Sequence, residues 1–322
     1  MNIQLSDHFN YKKLFLFTLP SVVMMVFTSV YCVVDGFFVS NFAGKTAFAA
    51  INLIMPFIMI LGGIGFMIGT GGSALVSYTL GTGDKEKANR YFSMMVYFTI
   101  LAGILLTVLG IIFVRPMAEL FGADESMMDT CVLYGRIVIA FNAAYMLQNI
   151  FQSFFVVAEK PRLGLIVTIA AGVTNMVLDA LFVGVFKWGI VGAALATGIS
   201  QSIGGLLPLL YFALPNNSPL QLTRTGFELA PLLKASSNGC SELMSNVASS
   251  LIGIVYNYQL MRLGGENAVA TYGVLMYIQF VFIAMFIGYS VGSAPIIGYH
   301  YGADNFKELQ NMRRKSLKIM SI

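Results

Sequence analysis

The chain has 322 residues, of which 57% are hydrophobic and 11% are charged, and its formal net charge is +4. A soluble domain carries about 25% charged residues, so this chain cannot cover a folded core with a polar surface. The composition excludes a soluble enzyme, a DNA-binding protein and a secreted disulfide scaffold. Long apolar runs instead predict an all-α integral membrane protein. The three cysteines, Cys32, Cys131 and Cys240, lie in or beside these runs and are expected to be small core residues.

Eight apolar stretches predict eight transmembrane helices. Each is long enough to cross a hydrocarbon core of roughly 30 Å at a rise of about 1.5 Å per residue. In chain order they cover residues 14–39, 47–80, 91–114, 131–157, 163–186, 189–213, 235–261 and 268–299.

The lysines and arginines predict the orientation, because cytoplasmic loops retain basic residues. With the N-terminus inside, the inner segments hold fourteen of the 19 basic residues and the outer loops hold four. The sequence therefore predicts a multi-pass protein with cytoplasmic N- and C-termini.

An internal repeat relates residues 44–83 to residues 265–304, at an offset of 221 positions and without a gap. Identities are few, but the hydropathy and the glycine turns at both ends match. Both copies begin outside and end inside, which is typical of transporters built from two parallel halves.

The repeat predicts two lobes of unequal completeness. We expect residues 1–215 to form a complete six-helix N-lobe and residues 216–233 to form a cytoplasmic linker. Residues 234–322 would form a partial C-lobe, with helices seven and eight and the start of a ninth. We expect such a fragment to insert into the membrane without transporting anything alone.

A stripe of small residues in the eighth span is expected to face lipid, because the eight predicted helices do not include those that would cover it. The stripe consists of Gly288, Gly292, Ser293 and Gly298.

Ionisable residues inside apolar spans are costly, about 2.5–3.5 kcal/mol on insertion scales, and therefore indicate function. Asp35 lies in the first span and Asp179 in the fifth, and Asn175 shares the helix face of Asp179. Such oxygen ligands suit Na⁺ or a shared proton. Alternatively, Asp35 lies at the membrane interface and Asn175 only links helices. Arg136, in the fourth span, would either snorkel or neutralise an aspartate.

Two further residues stand out in the spans. Glu242 opens the seventh span and adds a second acidic position. Pro20 lies about four turns before Asp35, where a proline removes one backbone hydrogen bond and permits a kink. A static kink that only helps packing is the alternative.

Five segments resemble the multidrug and toxin extrusion (MATE) family, and within it the DinF-like and MepA-like branch. The last of them resembles a hallmark of the second lobe in this family. The segments are VVDGFFVSNFAG, GGSALVSYTLGTGDKEKANRYF, TNMVLDALF, WGIVGAALATGISQ and GYSVGSAPIIGYHYGADN.

The resemblance implies twelve helices in two lobes around a V-shaped cavity, whereas this chain has eight predicted helices. It implies export of cationic or amphipathic drugs from bacteria against inward flow of Na⁺ or H⁺. The location would be the bacterial inner membrane. Small-molecule drugs and membrane lipid would be the partners, with no nucleic acid and no obligatory protein partner. No catalytic residue is implied, no cofactor besides the coupling ion, and no metal besides Na⁺.

The resemblance also implies roles for individual residues. Tyr31 would line the substrate cavity, Pro20 would be the bending point of the first helix, and Glu242 matches an acidic position of the second lobe. The cation site would consist of Asp35, Asn175, Asp179 and Thr197.

Two alternatives remain at this point. A lipid-linked oligosaccharide flippase of the same superfamily would line its cavity with several basic residues, but Arg136 is the only one inside a predicted span. An intramembrane enzyme would need a DDxxD motif, a Ser/His pair or a metal constellation, and the sequence has none of these.

Overall fold

The computed structural model describes residues 3–123 and 125–321, and these residues form nine α-helices and no strand. The prediction of an all-α protein is confirmed. The helices are α1 (Tyr11–Phe38), α2 (Lys45–Gly81), α3 (Lys85–Leu120), α4 (Glu125–Ala140), α5 (Asn142–Val157), α6 (Pro161–Asp179), α7 (Gly189–Ala213), α8 (Leu229–Gly302) and α9 (Phe306–Met320).

Polar caps and glycine turns define the helix ends. The Asn10 side chain accepts a hydrogen bond from the Lys13 amide at 2.8 Å, and Asp84 accepts one from Lys87 at 2.9 Å. Both side chains satisfy an amide in the first turn that has no partner within the helix. Gly44 has a φ of 94°, which side-chain-bearing residues rarely adopt, and it separates the first two helices.

Two helices continue into short π-helical segments. Val39–Ala43 follows α1, and Ala180–Val185 follows α6. Asp35 and Asp179 therefore each lie within the last turn before a π-helical segment. Such segments are rare, and they are frequently found at functional sites.

Six helical stretches of the described residues are long and apolar enough to cross a membrane. The fourth predicted span is not one straight helix, because α4 and α5 are bent by 54° at the break between them. Counting that pair as one span gives seven. The six stretches are Tyr11–Ala43, Ala47–Gly81, Lys85–Leu120, Pro161–Val185, Gly189–Ala213 and Gln279–Gly302.

The helix α8 is 74 residues long, and the chain reverses direction within it. The rings of Tyr256 and Tyr272 stack with centroids 5.4 Å apart. Sixteen residues of straight helix would separate them by about 24 Å. We therefore divide α8 into a first arm (residues 229–256) and a second arm (residues 272–302), which contain most of the seventh and eighth predicted spans.

The turns at one end of the bundle lie together with the N-terminus. The amide of Leu5 bonds to Glu159 after α5, and that of Phe9 bonds to Glu308 at the start of α9. A Cβ on Gly302 would collide with the carbonyl of Tyr78, near the end of α2. We call this end of the bundle the N-terminal side.

The segment between α7 and α8 runs along α3 and is held there by hydrogen bonds from its backbone amides to side chains of α3. The amide of Gln221 donates to Asn89 at 2.9 Å, and that of Thr223 donates to the Ser93 hydroxyl at 2.8 Å. Leu220 is fully buried in a cluster with the aromatic rings of α3, α5 and α7. This segment, which includes most of the predicted linker, is therefore packed against α3, α5 and α7.

The expectation that the small residues of the second arm face lipid is wrong. Gly288, Gly292 and Ser293 are buried, and Gly298 is half-buried. A Cβ on Gly288 would lie 2.6 Å from the Val22 Cα, and one on Gly292 would lie 3.1 Å from the Thr18 Cα. The stripe faces α1 and α2 rather than absent helices, because small residues allow these backbones to approach closely.

Candidate cation site and substrate cavity

The carboxyl groups of Asp35 and Asp179 lie beside each other. Gly172 permits this approach, since a Cβ there would lie 2.9 Å from the Tyr31 ring of α1. The helices α1 and α6 run in the same direction, so one turn beyond Tyr31 the two aspartates meet. Asp179 is fully buried and Asp35 is half-buried. The interpretation that Asp35 is only an interfacial residue does not fit this geometry.

Asn175 and Thr197 bring further oxygens to the same level of the bundle. Asn175 precedes Asp179 by one helical turn and is 2% exposed. The helix α7 returns antiparallel to α6, with Gly192 packed on Phe182, and this register places Thr197 level with Asn175 and Asp179. The structure therefore brings Asp35, Asn175 and Asp179 together on α1 and α6 and places Thr197 at their level on α7.

Several oxygens of this cluster are buried without a hydrogen-bond partner in the described part of the chain. They are Asp35 Oδ1, Asn175 Oδ1, Thr197 Oγ1 and both carboxylate oxygens of Asp179. Burying acceptors without a donor is costly, and two close carboxylates repel each other in a low dielectric. A proton or a hard cation such as Na⁺ would satisfy both requirements, so these residues fit a bound cation.

The side chain of Arg136 does not supply the positive charge. It is exposed on α4, whereas Tyr134, two residues earlier, is buried and faces both aspartates. The interpretation in which Arg136 neutralises an aspartate is therefore contradicted, and snorkelling remains.

Sequence reasoning missed two neighbours of the carboxylate pair. Tyr134 is 1% exposed and lies close to Asp35 and Asp179. Cys32 lies one turn before Asp35 on α1 and is exposed. Tyr134 carries no distinguishing sequence signal, because it is one of 15 tyrosines in a chain rich in aromatic residues. The apolar run around Cys32 predicts a small core residue, and the exposure of Cys32 contradicts that prediction.

Tyr31 lies between this cluster and a polar wall on α5 and α7. It is half-buried and faces Gln148 and Tyr145 of α5. Gly204 makes room for Gln148, since a Cβ there would lie 2.7 Å from the Gln148 Cδ. The amide oxygens of Gln148 and Gln201 have no partner within the described residues. Tyr31 thus has the polar and aromatic surroundings expected of a cavity residue.

Pro20 is buried inside α1, which continues through it as a helix. Because proline has no N–H, the Leu16 carbonyl one turn earlier has no intrahelical partner. The second arm of α8 packs against the next residues, with Gly288 on Ser21 and Val22. The turn of α1 that lacks a backbone hydrogen bond therefore lies where the second arm of α8 contacts it.

Glu242 lies apart from the four residues of the cation site. It is half-buried on the first arm of α8, and its neighbour Leu243 packs on α2, where a Cβ on Gly63 would lie 3.1 Å from the Leu243 Cδ1. Its carboxylate has neither a hydrogen bond nor an ion pair among the described residues. Its role in a second lobe stays a prediction.

Comparison with known protein families identifies the family of this chain. The MatE family model matches residues 20–181 and 243–322, which is most of the chain. The chain belongs to the MATE family. The resemblance seen in the sequence is thereby confirmed.

The curated relatives include the multidrug export protein MepA from several staphylococci. MepA of Staphylococcus saprophyticus is 24% identical over 298 residues, which cover 91% of this chain and 65% of that protein. MepA of Staphylococcus aureus strain N315 is 25% identical over 300 residues, with the same two coverages. The chain thus spans about 65% of the length of the curated relatives it matches.

Solved structures of MATE proteins share the fold at low sequence identity. An outward-facing multidrug resistance MATE transporter superposes with a TM-score of 0.91 at 22% identity, covering 99% of this chain and 71% of that one. MATE structures in the straight and the bent conformation give TM-scores of 0.88 and 0.86, each at 21% identity. They cover 97% of this chain and 70% of each of theirs.

These findings also decide between the classes of protein that the sequence left open. MATE proteins and MepA are transporters, so the prediction of a transporter rather than an enzyme is confirmed at the level of the family. The relatives are multidrug exporters and do not favour the flippase alternative.

Proposed function

We propose that this chain is the cation-binding part of a multidrug exporter that exchanges drugs for Na⁺ or H⁺ across the bacterial inner membrane. The relatives named for multidrug export support this substrate class. In this proposal the drugs are cationic or amphipathic, and drugs and surrounding lipid are the partners.

The proposed topology has eight transmembrane helices with cytoplasmic termini. The two arms of α8 form the seventh and eighth crossings. Residues 1–215 form the N-lobe, 216–233 the linker and 234–322 the C-lobe part. The excess of basic residues in the segments on the N-terminal side supports a cytoplasmic location for that side. The two separate matches to one family model support the lobe division.

The observation that carries the proposal is the close pair of carboxylates, Asp35 and Asp179, whose buried oxygens have no hydrogen-bond donor among the described residues. Without a bound cation, the two negative charges repel each other and attract a cationic drug into the cavity beside Tyr31. With Na⁺ or H⁺ bound, the repulsion disappears and α1 can close onto α6. The cation and the drug therefore compete for the same charge, which couples their movements in opposite directions.

Pro20 gives α1 a point about which its later part can bend. The segment after Pro20 carries Tyr31 and Asp35, so bending there changes the cavity and the cation site together. In this proposal, the cation-bound state narrows the cavity and releases the drug to the outside.

The test measures direct binding of ²²Na⁺ or uptake of protons by the purified chain, and efflux of a fluorescent cationic dye by a full-length version in proteoliposomes. Asp35→Asn and Asp179→Asn should each reduce cation binding by the chain, and dye efflux by the full-length version, at least tenfold. Asp129→Asn is the matched control, because Asp129 is exposed on α4. Wild-type cation binding by both site variants would overturn the assignment, whether or not the chain transports the dye.

A further inference from the structure

The N-terminal segment, residues 3–10, crosses the N-terminal side of the bundle before α1 begins. Leu5 and Phe9 are at most 1% exposed and belong to a hydrophobic cluster. The cluster also contains Val156 from α5 and Ile296 and Met312 from α8 and α9. The segment is therefore packed against elements of both predicted lobes.

The first attachment of the segment is to the turn after α5. The amide of Leu5 donates a hydrogen bond to Glu159 Oε1 at 2.7 Å. Glu159 has a φ of 58°, and the turn that holds it is closed by a hydrogen bond from its amide to the Val156 carbonyl at 3.0 Å. The acceptor for the segment is thus fixed by the backbone of the first lobe.

The second attachment is to α9, through one carboxylate. Glu308 is 6% exposed, and its Oε1 accepts a hydrogen bond from the Phe9 amide at 2.9 Å. Its Oε2 lies 2.6 Å from His8 Nδ1. In return, Asn311 and Lys315 of α9 donate to the Phe9 carbonyl. Both attachments use a carboxylate as acceptor, but the second has four hydrogen bonds and the first has one, so the second is the stronger of the two.

We propose that residues 3–10 form a latch that holds the N-terminal side of the bundle closed by joining the α5–α6 turn to α9. The segment is continuous with α1 and bonded to α9. Any movement that separates α1 and α6 from α9 must therefore break the contacts at Glu308 or those at Glu159. The inference rests on the proposed function in one respect: in a transporter, such a movement opens the cavity toward the cytoplasm.

A merely structural role for the segment predicts something different. Removing the Glu308 contacts would then lower the stability of the chain and leave the distance between the lobes unchanged. A latch predicts that the same change adds a population of molecules in which the distance between the lobes is longer.

The experiment measures the distance between spin labels on Arg162→Cys and Arg314→Cys by pulsed electron spin resonance in lipid nanodiscs. Both positions are exposed and lie on α6 and α9, on either side of the latch. The exposed cysteines are removed by Cys32→Ser and Cys240→Ser, and the buried Cys131 is kept. The parent chain should give one short distance.

Glu308→Ala should increase the population of a longer distance at least threefold. His8→Ala, which removes one contact and keeps the other bonds of Glu308, should do so to a smaller extent. Asp7→Ala is the matched control, because Asp7 pairs with Lys13 at 3.2 Å without reaching α9. If Glu308→Ala does not fold, His8→Ala decides the result.

A disulfide between His8→Cys and Glu308→Cys provides the opposite test. Formed before the spin labels are attached, it should abolish any longer distance, whereas the double variant His8→Ala/Glu308→Ala should show one. The proposal is wrong if Glu308→Ala and His8→Ala give the distances of Asp7→Ala. The measurement needs neither a drug nor an ion gradient, so a failure of the proposed cation coupling would leave it interpretable.

Discussion

Ser77 of α2 contacts Gly298 of the second arm of α8, and the two residues occupy equivalent positions in the internal repeat. A Cβ on Gly298 would collide with the Ser77 hydroxyl. Around this contact, Gly81 approaches the Tyr299 carbonyl and Gly302 approaches the Tyr78 carbonyl. The offset of 221 residues that relates the repeat copies converts one pair into the other, because Gly81 corresponds to Gly302 and Tyr78 corresponds to Tyr299. The two copies therefore meet on the N-terminal side through matching residues, as expected of a local two-fold arrangement.

We predict that Gly81→Ala and Gly302→Ala each destabilise the chain by about 1–3 kcal/mol, because a Cβ at either position meets a backbone carbonyl that cannot rotate away. Gly253→Ala is the control, since nothing lies within 4 Å of a Cβ there and alanine favours a helix. Thermal unfolding in detergent measures the difference. Equal unfolding temperatures for Gly81→Ala and Gly253→Ala would contradict the close packing.

Cys32 offers a direct probe of the negative charge at the carboxylate pair. It is exposed and lies one turn from Asp35. A positively charged thiol reagent should therefore label it at least tenfold faster than a negatively charged one of similar size. This ratio should fall several-fold in Asp35→Asn and in Asp179→Asn.

Cys240, exposed on the first arm of α8, serves as the comparison site for that labelling. Chains with a single exposed cysteine, made by Cys240→Ser or Cys32→Ser, separate the two rates. A charge preference at Cys32 that survives both aspartate substitutions would show that another group creates the field.

The two carboxylates that hold the latch, those of Glu308 and Glu159, should respond to pH in opposite directions. Burial alone would raise the pKa of Glu308, but hydrogen bonds from Phe9, His8 and Asn311 hold it below its ordinary value. Its contribution to stability is therefore present above the unfolded-state pKa of about 4.3 and is lost as the pH falls through the folded-state pKa. Glu308→Gln should lower the unfolding temperature at pH 7 and have a smaller effect at pH 4.

Glu159, which holds the latch at the turn after α5, provides the opposite case. Burial raises the pKa of Glu159, although the Leu5 amide partly opposes this effect. Its contribution is present below the unfolded-state pKa and is lost as the pH rises through the folded-state pKa. Glu159→Gln should therefore keep or raise the unfolding temperature at pH 7. Equal losses at pH 7 from both glutamine variants would contradict the assignment.

The sequence was sufficient to predict the residues that are chemically unusual in a membrane. Asp35 and Asp179 were found because carboxylates are rare in apolar spans, and the first helices were found because long apolar runs have no other stable arrangement. The bend at Phe141 was not found, since neither proline nor glycine marks it. The sequence predicts lipid beside the Gly288 stripe, whereas the structure shows α1 and α2 there. A small-residue face does not indicate which helix it contacts.

The N-terminal segment was missed for another reason. Residues 3–10 have no helical periodicity, and their contacts lie 154 residues away at Glu159 and about 300 residues away at Glu308. Local sequence patterns carry no information about contacts at such separations. The latch therefore became visible only from the positions of Leu5 and Phe9 in the folded chain.

Pro20→Ala should separate cation binding from the movement of α1. Alanine restores an N–H for the Leu16 carbonyl and adds one helical hydrogen bond at the weakest point of the helix, so α1 should become stiffer. We expect cation affinity to stay within twofold of the wild-type value, because Asp35 lies about four turns away, while dye efflux slows at least fivefold. Pro116→Ala is the control, since Pro116 is exposed on α3, away from the cation site. Binding of ²²Na⁺ or protons is measured on the chain, and initial rates of dye efflux are measured with the same substitutions in a full-length version. If Pro20→Ala leaves both values unchanged, Pro20 serves only the packing of α1 against Gly288, and the bend is not part of transport.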